Sequence, residues 1–317
     1  MSIITLDDIY QAASRIRPYA HRTPVLTCAS LDRVTGSQVF LKCENLQKVG
    51  AFKFRGACNG VFALSEKEAA RGVATHSSGN HAQALALAAR LRGIPAYIVM
   101  PENAPAVKKE AVAGYGGQIT YCEPTLEARE TTTLSVVEKT GAVVIHPYNN
   151  LMVMAGQGTA ALELLEEFPD LDVLITPVGG GGLLSGSAVA ASELSPHIRV
   201  MAAEPEMADD AFRSLQAGKI IPSVNPQTVA DGLLTSLGDL TFPIIRDRVE
   251  RIITVSEVNI IKAMKFTWER AKLVIEPSAA VPLAALMDGK LDFGGLKVGV
   301  ILSGGNVDLG RLPWQMQ

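Results

Sequence analysis

Val173-Leu174-Ile175-Thr176-Pro177-Val178-Gly179-Gly180-Gly181-Gly182-Leu183 reads as a strand, four glycines and the first residue of a helix. Its apolar run is continuous and does not alternate, the pattern of a strand covered on both faces, and such strands belong to parallel sheets. Four glycines leave backbone N–H groups unobstructed at a helix N-terminus, an arrangement suited to a phosphate dianion. A bare turn is harder to account for, because a glycine run loses much chain entropy on folding. A dinucleotide loop would want Gly-x-Gly-x-x-Gly in the first strand–helix–strand unit, with an acid roughly 20 residues on, near Glu204. This loop lies late in the chain and lacks the Lys-Ser/Thr of a P-loop, so the phosphate is expected on something smaller than a nucleotide.

The same rhythm extends in both directions. Upstream, strands are expected over 39–44, 72–76, 96–100, 119–122 and 141–147, with helices over 80–92, 106–113, 126–139 and 152–167. Downstream come a helix over 183–194, a strand over 198–203, a long helix over 258–272 and a strand over 297–302. A first helix over 6–17 carries apolar residues at helical spacing behind Thr5 as N-cap, and Pro18 ends it. Strand and helix in alternation predict an α/β fold with mostly parallel sheets covered by helices. A chain of 317 residues exceeds one comfortable core, so two lobes or one large unit is expected.

Composition excludes several classes. With 29 Lys and Arg against 32 Asp and Glu, the net charge of −3 offers no basic field for nucleic acid or anionic lipid. No apolar run is long enough to span a bilayer. Cys28, Cys43, Cys58 and Cys122 show no Cys-x-x-Cys spacing, and acids occupy the first residues where a targeting peptide would carry Lys or Arg. A cytoplasmic protein with reduced thiols is expected.

Gly50-Ala51-Phe52-Lys53-Phe54-Arg55-Gly56-Ala57 sets a lysine between two aromatics just before a helical run that begins near Gly56. A lysine there is either snorkelling or partly dry. In a dry site at a helix N-terminus its amine is driven towards the neutral, nucleophilic form. Two further loops follow strands: His76-Ser77-Ser78-Gly79-Asn80-His81, suited to a carboxylate or a ring hydroxyl, and Ser303-Gly304-Gly305-Asn306. Parallel sheets gather ligands at the carboxyl ends of their strands, so Lys53, these loops and the glycine row are expected on one cleft. A nucleotide-binding oxidoreductase or a non-catalytic ligand module remains the competing class.

Gly-Ala-Phe-Lys-Phe-Arg-Gly-Ala, Ser-Ser-Gly-Asn-His-Ala-Gln, Gly-Gly-Gly-Gly-Leu and Ser-Gly-Gly-Asn, in that order, resemble the serine/threonine dehydratase and serine racemase group of pyridoxal-phosphate enzymes. Ala-Gly-Gln-Gly-Thr at 155–159 and Glu-Pro-Ser-Ala-Ala at 276–280 also fit. The resemblance implies fold type II, like the tryptophan synthase β-chain. It implies two open twisted sheets, a large domain over 1–71 and 149–317, and a small mobile domain over 72–148. Lys53 would bind the cofactor aldehyde and Phe52 would pack on its ring. Gly179, Gly180, Gly181, Gly182 and Leu183 would hold its phosphate. Asn80 would meet the 3-hydroxyl and Ser303 the pyridine nitrogen, with Glu276 near the same ring edge. Ser77, Ser78, Asn80 and His81 would cradle the substrate carboxylate. Arg129 is a candidate for steering the substrate side chain, with a solvated arginine on a helix surface as the alternative.

The resemblance also implies a homodimer and places Ser78 opposite Lys53. Inverting Cα needs an acid–base group on each face, whereas elimination of water needs one. Threonine dehydratases of this group tend to carry alanine there and an added regulatory domain. Serine in this chain, and no such domain, favour a serine racemase that also dehydrates serine to pyruvate and ammonia. A 3-hydroxyaspartate or threonine dehydratase is the alternative. On chemistry alone Glu204, Asp209 and Asp210 read as an acid-rich helix start. Their spacing resembles the family's cation site residue for residue, which implies a structural divalent cation (Mg²⁺, Mn²⁺ or Ca²⁺) on Glu204, the Ala208 carbonyl and Asp210. Lys48, Gln83, Lys108 and Tyr115 match an ATP pattern of some animal members, but Val49 replaces the polar residue expected beside Lys48.

Overall fold

The computed structural model describes residues 3–77, 79–104 and 106–315. Local chemistry sets the first element. Asp8 N–H donates to Thr5 Oγ1 (3.2 Å) while Thr5 N–H donates to the Asp8 carboxylate (2.8 Å), a reciprocal cap that starts the helix Leu6–Ile16.

Among the described residues, ten strands form two sheets. β1 (Val25–Thr27), β2 (Gln38–Cys43), β7 (Val173–Pro177), β8 (Arg199–Pro205), β9 (Arg251–Val255) and β10 (Lys297–Leu302) make a six-stranded sheet in the order β1-β2-β10-β7-β8-β9. β3 (Val73–His76), β4 (Ala96–Pro101), β5 (Gln118–Cys122) and β6 (Val143–Val144) make a four-stranded sheet in the order β5-β4-β3-β6. Every pairing is parallel except β1 with β2. The expected α/β architecture of two mostly parallel sheets is therefore present, and β7 is buried at all five residues.

Helices Leu6–Ile16, Leu151–Glu167 and Gly182–Leu194 cover one face of the larger sheet. Glu257–Arg270 and Pro277–Met287 cover the other. A third apolar cluster joins Phe54, Ala57, Cys58 and Val61 of helix Lys53–Phe62 to Ala82, Leu85 and Ala89 of helix Asn80–Arg92. The helix that carries Lys53 is thus packed against the smaller sheet's own cover. Helices Leu151–Glu167 and Gly182–Leu194 approach so closely that a Cβ on Gly186 would lie 2.3 Å from the Met154 carbonyl.

Two expectations need correction. The strand expected over 141–147 is only β6, two residues long; Pro147 has no N–H, and the His146 imidazole takes over the backbone donors that follow. The helix expected from about Gly56 starts at Lys53 itself. All four cysteines are free and buried. Among the described residues, no helix is long and apolar enough to cross a membrane.

Candidate active site

Lys53 is the first residue of its helix, and its Nζ donates to the Pro147 carbonyl at 2.9 Å. The same nitrogen lies 5.1 Å from the centre of the Phe52 ring. Burial lowers the amine's pKa to about 8, against the opposing pull of the Glu276 carboxylate. Burial thus drives this lysine towards its neutral, nucleophilic form.

What fixes this helix is buried charge. Arg55, two residues on, is fully enclosed and donates to both oxygens of Glu44 (2.7 and 2.8 Å) and both of Glu163 (2.8 Å each). Lys42 Nζ donates to Glu163 at 2.6 Å, and Thr23 Oγ1 donates to Glu44 at 2.5 Å. Two cations meet two anions, so the cluster is neutral, as burial demands.

The glycine row leaves β7 and enters helix Gly182–Leu194 through Gly181, whose φ of 87° is left-handed and disfavours any side chain. The first N–H groups of that helix have no acceptor within it. Each glycine is also required by close packing. A Cβ would lie 2.3 Å from the Tyr148 ring at Gly180, 2.9 Å from Tyr148 Cβ at Gly182 and 3.0 Å from Leu233 Cα at Gly179. Tyr148 is adjacent to Pro147, so one dipeptide touches both the lysine amine and the glycine row.

That dipeptide belongs to a connector from β6 to helix Leu151–Glu167, pinned at every residue. His81 Nε2 donates to the Ile145 carbonyl at 2.9 Å. His146 Nδ1 accepts the N–H of Asn149 (2.9 Å) and of Tyr148 (3.3 Å). Asn149 Nδ2 donates to Asp239 at 2.6 Å, and Asn150 caps the helix through the Val153 N–H at 3.1 Å. The sequence pattern of this stretch suggested a strand and gave no sign of these roles.

Ser303 is buried, and its carbonyl accepts the Phe52 N–H at 3.0 Å. Glu276 N–H donates to the Gly304 carbonyl at 3.0 Å, and burial raises the Glu276 carboxyl pKa to about 7. Asn80 Nδ2 donates to Glu276, while Asn80 Oδ1 accepts from Asn306 Nδ2 at 2.9 Å. Lys53, Asn80, Glu276, Ser303 and the glycine row are thus brought together at the carboxyl ends of β3, β7 and β10.

The expected substrate residues are less uniform. Ser77 Oγ accepts the Gly79 N–H at 3.3 Å, and Ser78 lies outside the described residues. The His81 ring is committed to the connector; burial holds its pKa near 3, and its Nδ1 has no partner. Arg129 Nε donates to Thr125 O within its own helix at 3.2 Å, and its guanidinium forms no ion pair among the described residues. Its charge contributes to lowering the pKa of His76, after burial. Lys108, by contrast, is paired with Asp231 at 2.5 Å.

Glu204 accepts the N–H of Ala211 (3.0 Å) and Phe212 (2.8 Å), and both oxygens of Asp210 are buried without a partner. Burial raises Glu204 to about 8 and Asp210 to about 6. No three His, Cys, Asp or Glu side chains cluster among the described residues. Of the nucleotide-pattern residues, Lys48 Nζ sits 5.7 Å over the Phe54 ring, Gln83 is buried, and Tyr115 lies beside Arg90.

The chain matches the family described as pyridoxal-phosphate dependent enzyme over residues 16–304. It belongs to that family. It is 52% identical to a serine racemase of Dictyostelium discoideum, an alignment covering 98% of both chains. It is also 52% identical to a beta-hydroxyaspartate dehydratase of Paracoccus denitrificans, over 99% of this chain and 100% of that one. A solved maize serine racemase superposes with a TM-score of 0.96 at 50% identity, covering 99% of this chain and 97% of that one. The residues present fit the cofactor: a partly buried amine on Lys53, a helix N-terminus stripped of side chains, and buried Ser303 and Glu276 at neighbouring strand and helix ends.

Proposed function

We propose that the chain is a serine racemase that also dehydrates serine and threonine, using pyridoxal phosphate held by Lys53. The observation that carries this is the partly buried Lys53 amine bonded to the Pro147 carbonyl, next to Tyr148, which packs on the glycine row. Near-full-length similarity to a serine racemase supports it. When bound, the cofactor supplies an electron sink that acidifies the substrate Cα–H. Lys53 takes or returns the Cα proton on one face, and Ser78 serves the other. Gly179, Gly180, Gly181, Gly182 and Leu183 hold the phosphate, Asn80 the 3-hydroxyl and Ser303 the ring nitrogen, with Phe52 and Glu276 beside the ring. Ser77, Ser78, Asn80 and His81 receive the substrate carboxylate, and His81 does so through its backbone, because its ring is engaged with Ile145.

A second reading has its own support. Arg129 carries a guanidinium with no carboxylate partner among the described residues, while Lys108 is already neutralised by Asp231. A free cation suits a substrate with a second carboxylate, such as 3-hydroxyaspartate. Chiral analysis of products from L-serine, with keto-acid formation from threonine and 3-hydroxyaspartate, separates the two. D-serine in the first assay supports the racemase; fast turnover of hydroxyaspartate with no D-serine ends it.

Residues 72–148 form the lobe proposed to close on substrate, against a body made of 1–71 and 149–317. Glu204, the Ala208 carbonyl and Asp210 hold a structural divalent cation, supported by the unpartnered Asp210 oxygens. The working unit is a cytoplasmic homodimer. ATP binding near Lys48, Gln83, Lys108 and Tyr115 would require Lys108 to leave Asp231.

A further inference from the structure

The Lys53 amine is held by a backbone carbonyl, not by a side chain, so something must aim that carbonyl. Pro147 O accepts Lys53 Nζ at 2.9 Å. The peptide units on its C-terminal side are closed into a turn by one imidazole, whose Nδ1 accepts the N–H groups of Tyr148 (3.3 Å) and Asn149 (2.9 Å). This is the geometry an Asn or Asp side chain makes when it closes a turn on its own following backbone. An imidazole can do it only while Nδ1 carries no proton.

We propose that His146 is a positioning residue for Lys53: its neutral ring closes the 146–149 turn and so points the Pro147 carbonyl at the lysine amine. The surroundings keep the ring in the required form. It meets His76 edge-on at 5.9 Å between centres and Tyr148 at 4.6 Å. Burial chiefly, then the charges of His76 and Lys53, lower its pKa to about 4, with Asp239 alone pulling the other way. The turn therefore survives through the physiological range. Neither the identity of the amino-acid substrate nor the racemase assignment enters this inference; it rests only on Lys53 as the cofactor lysine.

The test uses the full-length chain stripped of cofactor and mixed with pyridoxal phosphate, following covalent capture by absorbance as a function of pH. His146→Leu removes the acceptor. Its capture should slow about tenfold, and the pH midpoint of capture should fall by about half a unit, because a carbonyl acceptor favours the protonated amine. His146→Asn restores a turn-closing acceptor and should bring both values to within about threefold and a few tenths of a unit of the unsubstituted chain. A His146→Leu chain with unaltered rate and midpoint overturns the proposal. So does a folded His146→Asn chain that captures as poorly as His146→Leu. Should His146→Leu fail to fold, His146→Asn alone decides, together with ¹⁵N spectra of labelled histidine in the unsubstituted chain. Those spectra must show His146 with its proton on Nε2, and a proton on Nδ1 overturns the idea.

Discussion

Asn80 Nδ2 stands within hydrogen-bond distance of both carboxylate oxygens of Glu276, at 3.0 and 3.1 Å. One residue opens the helix that follows β3 in the smaller sheet; the other is the N-cap of Pro277–Met287 on the larger. The contact links helices of the two sheets, and Glu276 is close enough to Lys53 to oppose in part the lowering of its amine's pKa by burial.

That acid should make stability fall with pH. Its folded pKa, about 7, lies above the ordinary carboxyl value of 4.5, so ionisation is harder in the folded chain. The penalty starts near pH 4.5, grows through 7 and is complete above it. Glu276→Gln should therefore stabilise the chain by roughly 2 kcal/mol more at pH 8 than at pH 5, read from melting curves at both. A pH-independent difference would refute the assignment. The same substitution removes the carboxylate that favours protonated Lys53, so the amine should titrate lower.

Removing one member of the Arg55 cluster should be severe. Glu44→Gln leaves two buried cations facing Glu163 alone and should cost about 3–5 kcal/mol in urea unfolding. Glu166→Gln, which breaks the exposed pair with Arg22, should cost under about 1 kcal/mol. Similar costs for the two would show that the buried cluster relaxes.

Gly180→Ala should weaken the fold by about 2–4 kcal/mol and reduce pyridoxal phosphate uptake, because the added methyl meets the Tyr148 ring at 2.3 Å. Pairing it with Tyr148→Ala should recover part of that loss, a coupling of about 1–3 kcal/mol in a double-mutant cycle. Strict additivity would mean that the ring moves aside freely.

Glu204 and Asp210 predict a pH-dependent response to divalent cations. Both carboxyls are raised by burial, to about 8 and about 6, so without a cation stability should decline as pH rises from about 4 towards 8. Mg²⁺ or Ca²⁺ should raise the melting temperature at pH 8 and hardly at pH 4.5, where the folded chain keeps both protons. Asp210→Asn should abolish the response. Equal effects at both pH values would point to binding elsewhere.

Much of this was legible in the chain. Continuous apolar runs at strand length, separated by helical periods, marked the buried parallel strands, and helix Asn80–Arg92 falls where that period placed it. Helix Pro277–Met287 gave no such signal. It is apolar all round, buried on every side and carries Pro282 inside, so no polar stripe betrays a helical period. β9 and helix Ala29–Thr35 also went unmarked, being short elements with little pattern of their own.

By itself the sequence marked the groups proposed to carry the chemistry: an amine between aromatics, glycines at a helix start, and hydroxyls and amides after strands. These depend on residue type and on neighbours a few positions away. Only the tertiary structure decided what each group faces. Lys53 is bonded to a carbonyl 94 residues distant, Gly180 is required by a ring from the connector, and Lys108 is neutralised while Arg129, among the described residues, is not. Those outcomes depend on how two sheets and the chain between them come together, and no local period records that meeting.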